Sequence, residues 1–225
     1  MKKTNSKSRN QDKQRLALSI NDTLAEMYPC AECALHYDGE PWKLLVMARL
    51  SAQCTDERVN LVCADLFSKF PTVESLANAD ISEIEAIIRP CGLFRGKARS
   101  IKDSCAIIVE KYGGKLPDNM ESLLELPGVG RKIANLLLGD IYGKGGIVAD
   151  THCIRISCRL GLADKNNPIA VEKALSPIIP LGLQSDFCHR LVMFGRDICT
   201  ARSPRCEACP LREKSLCGGS DDETR

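Results

Sequence analysis

The stretch Leu126-Pro127-Gly128-Val129-Gly130-Arg131-Lys132-Ile133-Ala134 decides how this chain is read. Upstream of it, Asp118 and Glu121 have capping-box spacing, and Leu123, Leu124 and Leu126 supply the apolar face of a short helix. Pro127 and Gly128 stop that helix. Gly128 and Gly130 lack Cβ atoms, so the turn can take positive φ and bring its N–H groups close to a phosphate oxygen. A second helix begins near Arg131, with Ile133, Ala134, Leu136, Leu137 and Leu138 on its buried side. Lys132 therefore falls in the first turn of a helix.

That position has a chemical consequence. A free lysine of pKa about 10.4 is neutral in only about one molecule in 2500 at pH 7. The positive end of the helix dipole, nearby Arg131 and the partial burial expected here all disfavour the ammonium. A pKa lowered by about 2 to 3 units would leave a useful fraction of Lys132 as a neutral nucleophile, able to form a Schiff base with a sugar C1′. An ordinary helix–turn–helix corner with a solvated lysine gives the same local pattern.

Asp150-Thr151-His152 opens the next helix, whose pattern includes Ile154, Ile156 and Leu160, after the loop Gly143-Lys144-Gly145-Gly146 and the apolar approach Ile147-Val148-Ala149. Asp150 is placed to cap that helix. The same carboxylate can activate a lysine or stabilise an oxocarbenium-like sugar as a glycosidic bond breaks, and the two roles are compatible. His152 reads as a packed, hydrogen-bonding residue or as a substrate contact.

Cys199, Cys206, Cys209 and Cys217 form C-x6-C-x2-C-x7-C near the C-terminus. Four thiols so clustered are ligands for a tetrahedral metal or an iron–sulfur cluster, and spacing alone does not separate a zinc site from [4Fe–4S]. The other nine of the 13 cysteines are scattered and carry no secretory context, which argues against a disulfide scaffold. Cys30 and Cys33 make a lone C-x-x-C and read as helix-end or packing residues.

The net charge is only +2, so a global basic field is no argument for a polyanionic partner. Local charge is more informative: Arg89, Arg95, Lys97, Arg99 and Lys102 cluster, as do Arg202, Arg205 and Arg212 around the cysteines. Such runs are solvated faces or phosphate contacts. Aromatic residues make up 4% of the chain, too few for a base-stacking platform, and Trp42 reads as core. No run has the length of a membrane helix, and Met1 to Arg15 lacks an apolar signal region, so a soluble, intracellular protein is expected.

Helical periodicity recurs through Trp42–Leu50, Val59–Phe67, Ile84–Ile88 and Ile101–Ile108, with breaks at Pro71, Pro90 and Gly92. Alternating runs long enough for a sheet are missing. The expected fold is all-α.

Three ordered motifs, Leu126 to Lys132, Asp150 to His152 and the four C-terminal cysteines, resemble those of the endonuclease III family, bifunctional DNA glycosylases and abasic-site lyases of the helix-hairpin-helix superfamily. A fourth, Leu50-Ser51-Ala52-Gln53-Cys54-Thr55-Asp56, matches that family's early helix and loop. The resemblance runs from about residue 16 to 217. Seven residues separate Cys209 from Cys217 where the family usually has five, an extension a surface loop absorbs at little entropic cost.

The resemblance implies a two-lobed helix-hairpin-helix DNA glycosylase fold with a C-terminal [4Fe–4S] cluster loop. One lobe would span residues 34–144, the other 1–33 plus 145–225. It implies Lys132 as Schiff-base nucleophile, Asp150 as essential carboxylate, and Cys199, Cys206, Cys209 and Cys217 as cluster ligands. Gly128, Gly130 and Arg131 would hold DNA with Arg202 and Arg205, Gln53 and Leu93 would fill the gap left by an extruded nucleotide, and Asp56 and His152 would line the damage pocket. Adenine-removing relatives generally lack the lysine and carry a further recognition domain, so Lys132 favours a lyase. The implied enzyme is a monomer acting in base excision repair on damaged double-stranded DNA, removing oxidised or ring-saturated pyrimidines and cutting the abasic site by β-elimination, with no membrane partner and a nucleoid-associated, bacterial-type location. A monofunctional glycosylase, or a non-catalytic helix-hairpin-helix DNA-binding protein, is the alternative.

Overall fold

A computed structural model of the chain describes residues 2–217, with side chains from residue 10 onward. Twelve α-helices are described, and no strand occurs among the described residues. They are α1 (Lys2–Met27), α2 (Pro41–Leu50), α3 (Asp56–Lys69), α4 (Val73–Ala77), α5 (Ile81–Ile88) and α6 (Phe94–Tyr112). After these come α7 (Met120–Leu124), α8 (Arg131–Asp140), α9 (Thr151–Arg159), α10 (Pro168–Leu175), α11 (Gln184–Asp197) and α12 (Pro210–Glu213). The chain divides into two compact units, Cys33–Tyr142 and the pair of segments Met1–Glu32 and Gly143–Arg225.

The central unit holds α2 to α8. Four of its helices, α3, α4, α5 and α7, start where short polar side chains meet unsatisfied backbone N–H groups. Thr55 accepts from Arg58 N–H at the start of α3, Thr72 and Ser75 form a reciprocal capping box on α4, and Asp80 accepts from Ser82 N–H on α5. At α7 the cap is Asn119, which accepts from Ser122 N–H at 2.9 Å, and not the Asp118/Glu121 pair expected from spacing. Asn119 is the residue with extended backbone dihedrals, so the helix begins one position later than that pair requires. The α3 stripe Val59, Val62, Cys63 and Leu66 recurs at helical spacing and packs with Leu44, Leu45, Ile84, Ile101 and Leu137 into one core. Each fully buried leucine there contributes about 2 kcal/mol of apolar transfer energy. Trp42 belongs to this core, 7% exposed and edge-on to Phe67 at 5.3 Å between ring centres.

The second unit packs α1 and α9 against α11, with Ile20, Leu24, Ile156, Phe187, Leu191 and Phe194 fully buried. Its core is crossed by a polar pair, Arg190 Nη1 donating to Asn21 Oδ1 at 3.0 Å. No described helix is long and apolar enough to cross a membrane.

Candidate functional site

In the central unit, α7 and α8 pack against each other and frame the glycine turn. Leu123 and Leu126 are buried, whereas Leu124 is 39% exposed and lies off the apolar face assigned to it. Gly128 has φ +80 and a Cβ there would sit 2.4 Å from Arg49 Nε, so both the dihedral and the space demand glycine. Gly130 differs from expectation: its φ is −99, in the extended region, because it serves as N-cap of α8 and leaves the turning to Gly128. The turn is pinned from below. Ser104 Oγ donates to Pro127 O at 2.9 Å, and Arg49 Nε donates to Ser100 Oγ at 2.9 Å.

With glycine at its N-cap, α8 has no side-chain cap, so its N-terminus presents backbone N–H groups and the positive end of the helix dipole. Arg131 and Lys132 are exposed there. The half-burial expected of Lys132 is therefore absent, because its position in α8 faces away from the stripe formed by Ala134, Leu137 and Leu138.

Gln53 and Leu93 are both exposed and both have left-handed backbones, φ 57 and 46, which is uncommon for residues other than glycine. Leu93 is 69% exposed. Beside it opens a depression of about 500 Å³ lined by Arg49, Ala52, Leu93, Phe94, Arg95 and Lys97. Arg95 and Arg89 both approach the Phe94 ring, at 5.5 and 5.8 Å from its centre. Lys97, assigned by its neighbours to a basic surface run, is 1% exposed and donates to the carbonyls of Leu50, Ala52 and Cys91. Sequence carried the signal, since Lys97 shares the i, i+4, i+8 stripe of Ile101 and Cys105. Half-buried Asp56 opens α3; burial first, then Asp140 and Asp56, push the Cys33 thiol up to about 12, which marks Cys33 as a packing residue.

In the second unit Asp150 caps α9, its Oδ1 accepting from Cys153 N–H at 2.7 Å. His152 lies against α11, where Gly195 leaves room for it: a Cβ there would meet His152 Nδ1 at 2.4 Å. Arg155 Nη2 reaches His152 Nδ1 at 3.2 Å and donates to Cys199 O at 2.9 Å.

Cys199, Cys206, Cys209 and Cys217 are half-buried free thiols in the segment that follows α11 and wraps α12. Burial raises the Cys209 thiol, and Cys217 and Cys199 lie close enough to add to the rise. Among the described residues no three His, Cys, Asp or Glu side chains gather at the spacing of a single metal ion. A four-iron cluster takes one cysteine thiolate on each of its irons. A soft, all-thiol donor set around a half-buried loop fits such a cluster. Arg159 supports it, donating to Thr200 O at 2.8 Å, Ala201 O at 3.0 Å and Cys199 Sγ at 3.4 Å. Arg205 is held by Asp197, Nε donating to its carbonyl at 2.9 Å and Nη2 to its carboxylate, while Arg202 is exposed.

The all-α architecture, the glycine turn and the four thiols define a helix-hairpin-helix repair protein. Residues 46–180 match the model of the HhH-GPD superfamily of base excision DNA repair proteins, and residues 199–213 match the iron-sulfur binding domain of endonuclease III. The latter span includes Cys199, Cys206 and Cys209 and stops short of Cys217. Endonuclease III of a Synechocystis species is 44% identical over 88% of this chain and 91% of its own, and that of Bacillus subtilis 42% over 87% and 89%. A solved non-covalent endonuclease III–DNA complex superposes with a TM-score of 0.84 at 41% identity, covering 91% of this chain and 95% of that one. A trapped endonuclease III–DNA covalent intermediate gives the same values.

The chain belongs to the endonuclease III family. It is a base excision repair DNA glycosylase with abasic-site lyase activity, and it carries the family's [4Fe–4S] cluster.

Proposed function

We propose that Lys132 is the Schiff-base nucleophile and Asp150 the carboxylate that serves the same nucleotide, in damaged double-stranded DNA. The observation that carries this reading is the α8 N-terminus, where an uncapped helix end set by Gly128 and Gly130 presents Lys132 to the outside. Gly128, Gly130 and Arg131 hold a phosphate through backbone N–H groups and charge. Lys132 is exposed at the start of α8, and the bound nucleotide supplies the burial that sequence assigned to the protein.

With a damaged base extruded, Gln53 hydrogen-bonds the orphaned partner and Leu93 wedges between neighbours. Lys132 Nζ attacks C1′ as the C1′–N bond breaks and the base leaves. Asp150 stabilises the developing sugar cation and takes the proton that Nζ gives up. The nitrogen lone pair then forms a protonated imine at C1′ as the C1′–O4′ bond breaks and O4′ takes the proton held by Asp150; the imine acidifies C2′, whose proton is lost as the C3′–O bond to phosphate breaks. Asp56 and His152 contribute to the base pocket. The four cysteines, Cys217 included, hold the cluster, which when bound fixes their loop so that Arg202 and Arg205 face the DNA backbone. Oxidised or ring-saturated pyrimidines suit this site because bases that have lost planarity stack poorly and cost less to extrude. The enzyme acts as a monomer inside the cell, on the nucleoid.

Borohydride trapping on a duplex with one abasic site or one thymine glycol tests the nucleophile. A covalent adduct in the native protein that vanishes in Lys132→Ala is expected. An adduct surviving in the variant would move the nucleophile elsewhere, and none in either protein would favour a glycosylase without lyase chemistry.

A further inference from the structure

Lys97 is buried to 1% exposure on the apolar stripe of α6, a place where leucine would pack at no electrostatic cost. Its ammonium has three N–H donors, and each meets a backbone carbonyl: Leu50 O at 2.8 Å, Ala52 O at 2.7 Å and Cys91 O at 2.9 Å. The acceptors are not scattered. Ala52 immediately precedes Gln53, and Cys91 precedes Gly92-Leu93, so one cation ties together the two segments that carry the exposed, left-handed residues. Backbones of that kind persist only where their surroundings over-determine them. Burial first, and the Arg49 guanidinium besides, push the Lys97 pKa below its ordinary value, while the three carbonyls reward the charged form. The backbone link continues to the glycine turn, because Ser100 Oγ donates to Lys97 O at 3.0 Å and accepts from Arg49, which lies against Gly128.

We propose that Lys97 is a positioning residue for base excision: its ammonium clamps the 50–52 and 91–93 segments so that Gln53 and Leu93 enter the duplex as one preset pair. The proposal rests on the reading of Gln53 and Leu93 as gap fillers. A preset pair meets the helix without first being ordered, and ordering two loops on contact would slow or weaken every extrusion. A neutral side chain of the same length keeps the core filled and leaves three carbonyls without donors, so both prongs lose their common anchor.

The test is a mutant cycle read by single-turnover excision from a thymine glycol duplex, with a 2-aminopurine beside the lesion to report unstacking. The four proteins are the native chain, Lys97→Met, the double variant Gln53→Ala/Leu93→Ala, and all three changes together, each checked for folding by circular dichroism at the assay temperature. Lys97→Met should slow excision about 10²-fold in the native background, the loss expected from misplacing an insertion by about 1 Å, and blunt the fluorescence rise. In the double-variant background the same change should have almost no further effect, because nothing remains for the clamp to hold. An equal slowing in both backgrounds would overturn the proposal and leave Lys97 a structural cation. A double variant as fast as the native enzyme would instead sink the gap-filling reading, and the clamp with it. If Lys97→Met does not fold, Lys97→Gln, whose amide keeps two of the three N–H donors, carries the same cycle.

Discussion

Gly128 and Arg49 are in such close approach that a single methyl on the glycine would lie 2.4 Å from the arginine Nε. The turn that shapes the α8 N-terminus is thus set by packing onto α2 as much as by its own dihedrals. Gly128→Ala should cost about 1–3 kcal/mol through left-handed strain and the clash. Gly130→Ala, at φ −99 with nothing within 4 Å, should stay within about 0.5 kcal/mol because a weaker cap and a stiffer unfolded chain offset each other. Urea unfolding of the two variants checks the contrast, and equal losses would contradict it.

Asp150 combines a structural and a proposed chemical role, and the two separate by substitution. Asparagine caps a helix as well as aspartate, so Asp150→Asn should keep native stability and lose most glycosylase activity. Asp150→Ala should lose the cap too, about 1 kcal/mol. Thermal unfolding alongside excision rates distinguishes them; an active Asp150→Asn would confine Asp150 to capping.

Arg159 bonds to a ligand sulfur and two carbonyls of the cysteine loop. Arg159→Leu should release iron to a chelator about 10 to 100 times more readily. The readout is bleaching of the visible cluster absorbance, and unchanged bleaching would show that the loop holds without it.

Burial alone pushes the Cys105 thiol from 9.0 up to about 12. The folded chain therefore keeps a proton that the unfolded chain releases above pH 9. The stability this contributes is complete below that pH and is lost as pH rises toward 12. Cys105→Ala should flatten the alkaline decline in urea midpoints while lowering stability slightly at neutral pH. A decline of unchanged slope would count against it.

The helices were legible because their signals are local: apolar spacing, Asp150 at one start, Pro and Gly at ends. The hairpin was legible because only glycine permits its turn. What escaped depends on partners distant in sequence. Lys97 looked like surface charge among Arg95 and Arg99, and only the carbonyls of Leu50 and Ala52 show why an ammonium lies inside. Arg159 gave no hint of the cysteine loop it supports 40 positions later. The Asp118 cap failed by one residue because Asp, Asn and their spacing to Ser122 compete closely, and backbone dihedrals decide.

The second unit is assembled from the two ends of the chain, and its buried bond between Asn21 and Arg190 joins positions 169 apart. On a ribosome adding about 5–20 residues per second, α1 waits roughly 10 to 30 s for α11, with its apolar stripe uncovered throughout. The central unit emerges whole in the meantime and can fold first. The four cysteines follow the hairpin along the chain, so α7 and α8 are complete before the loop that holds those thiols has been made.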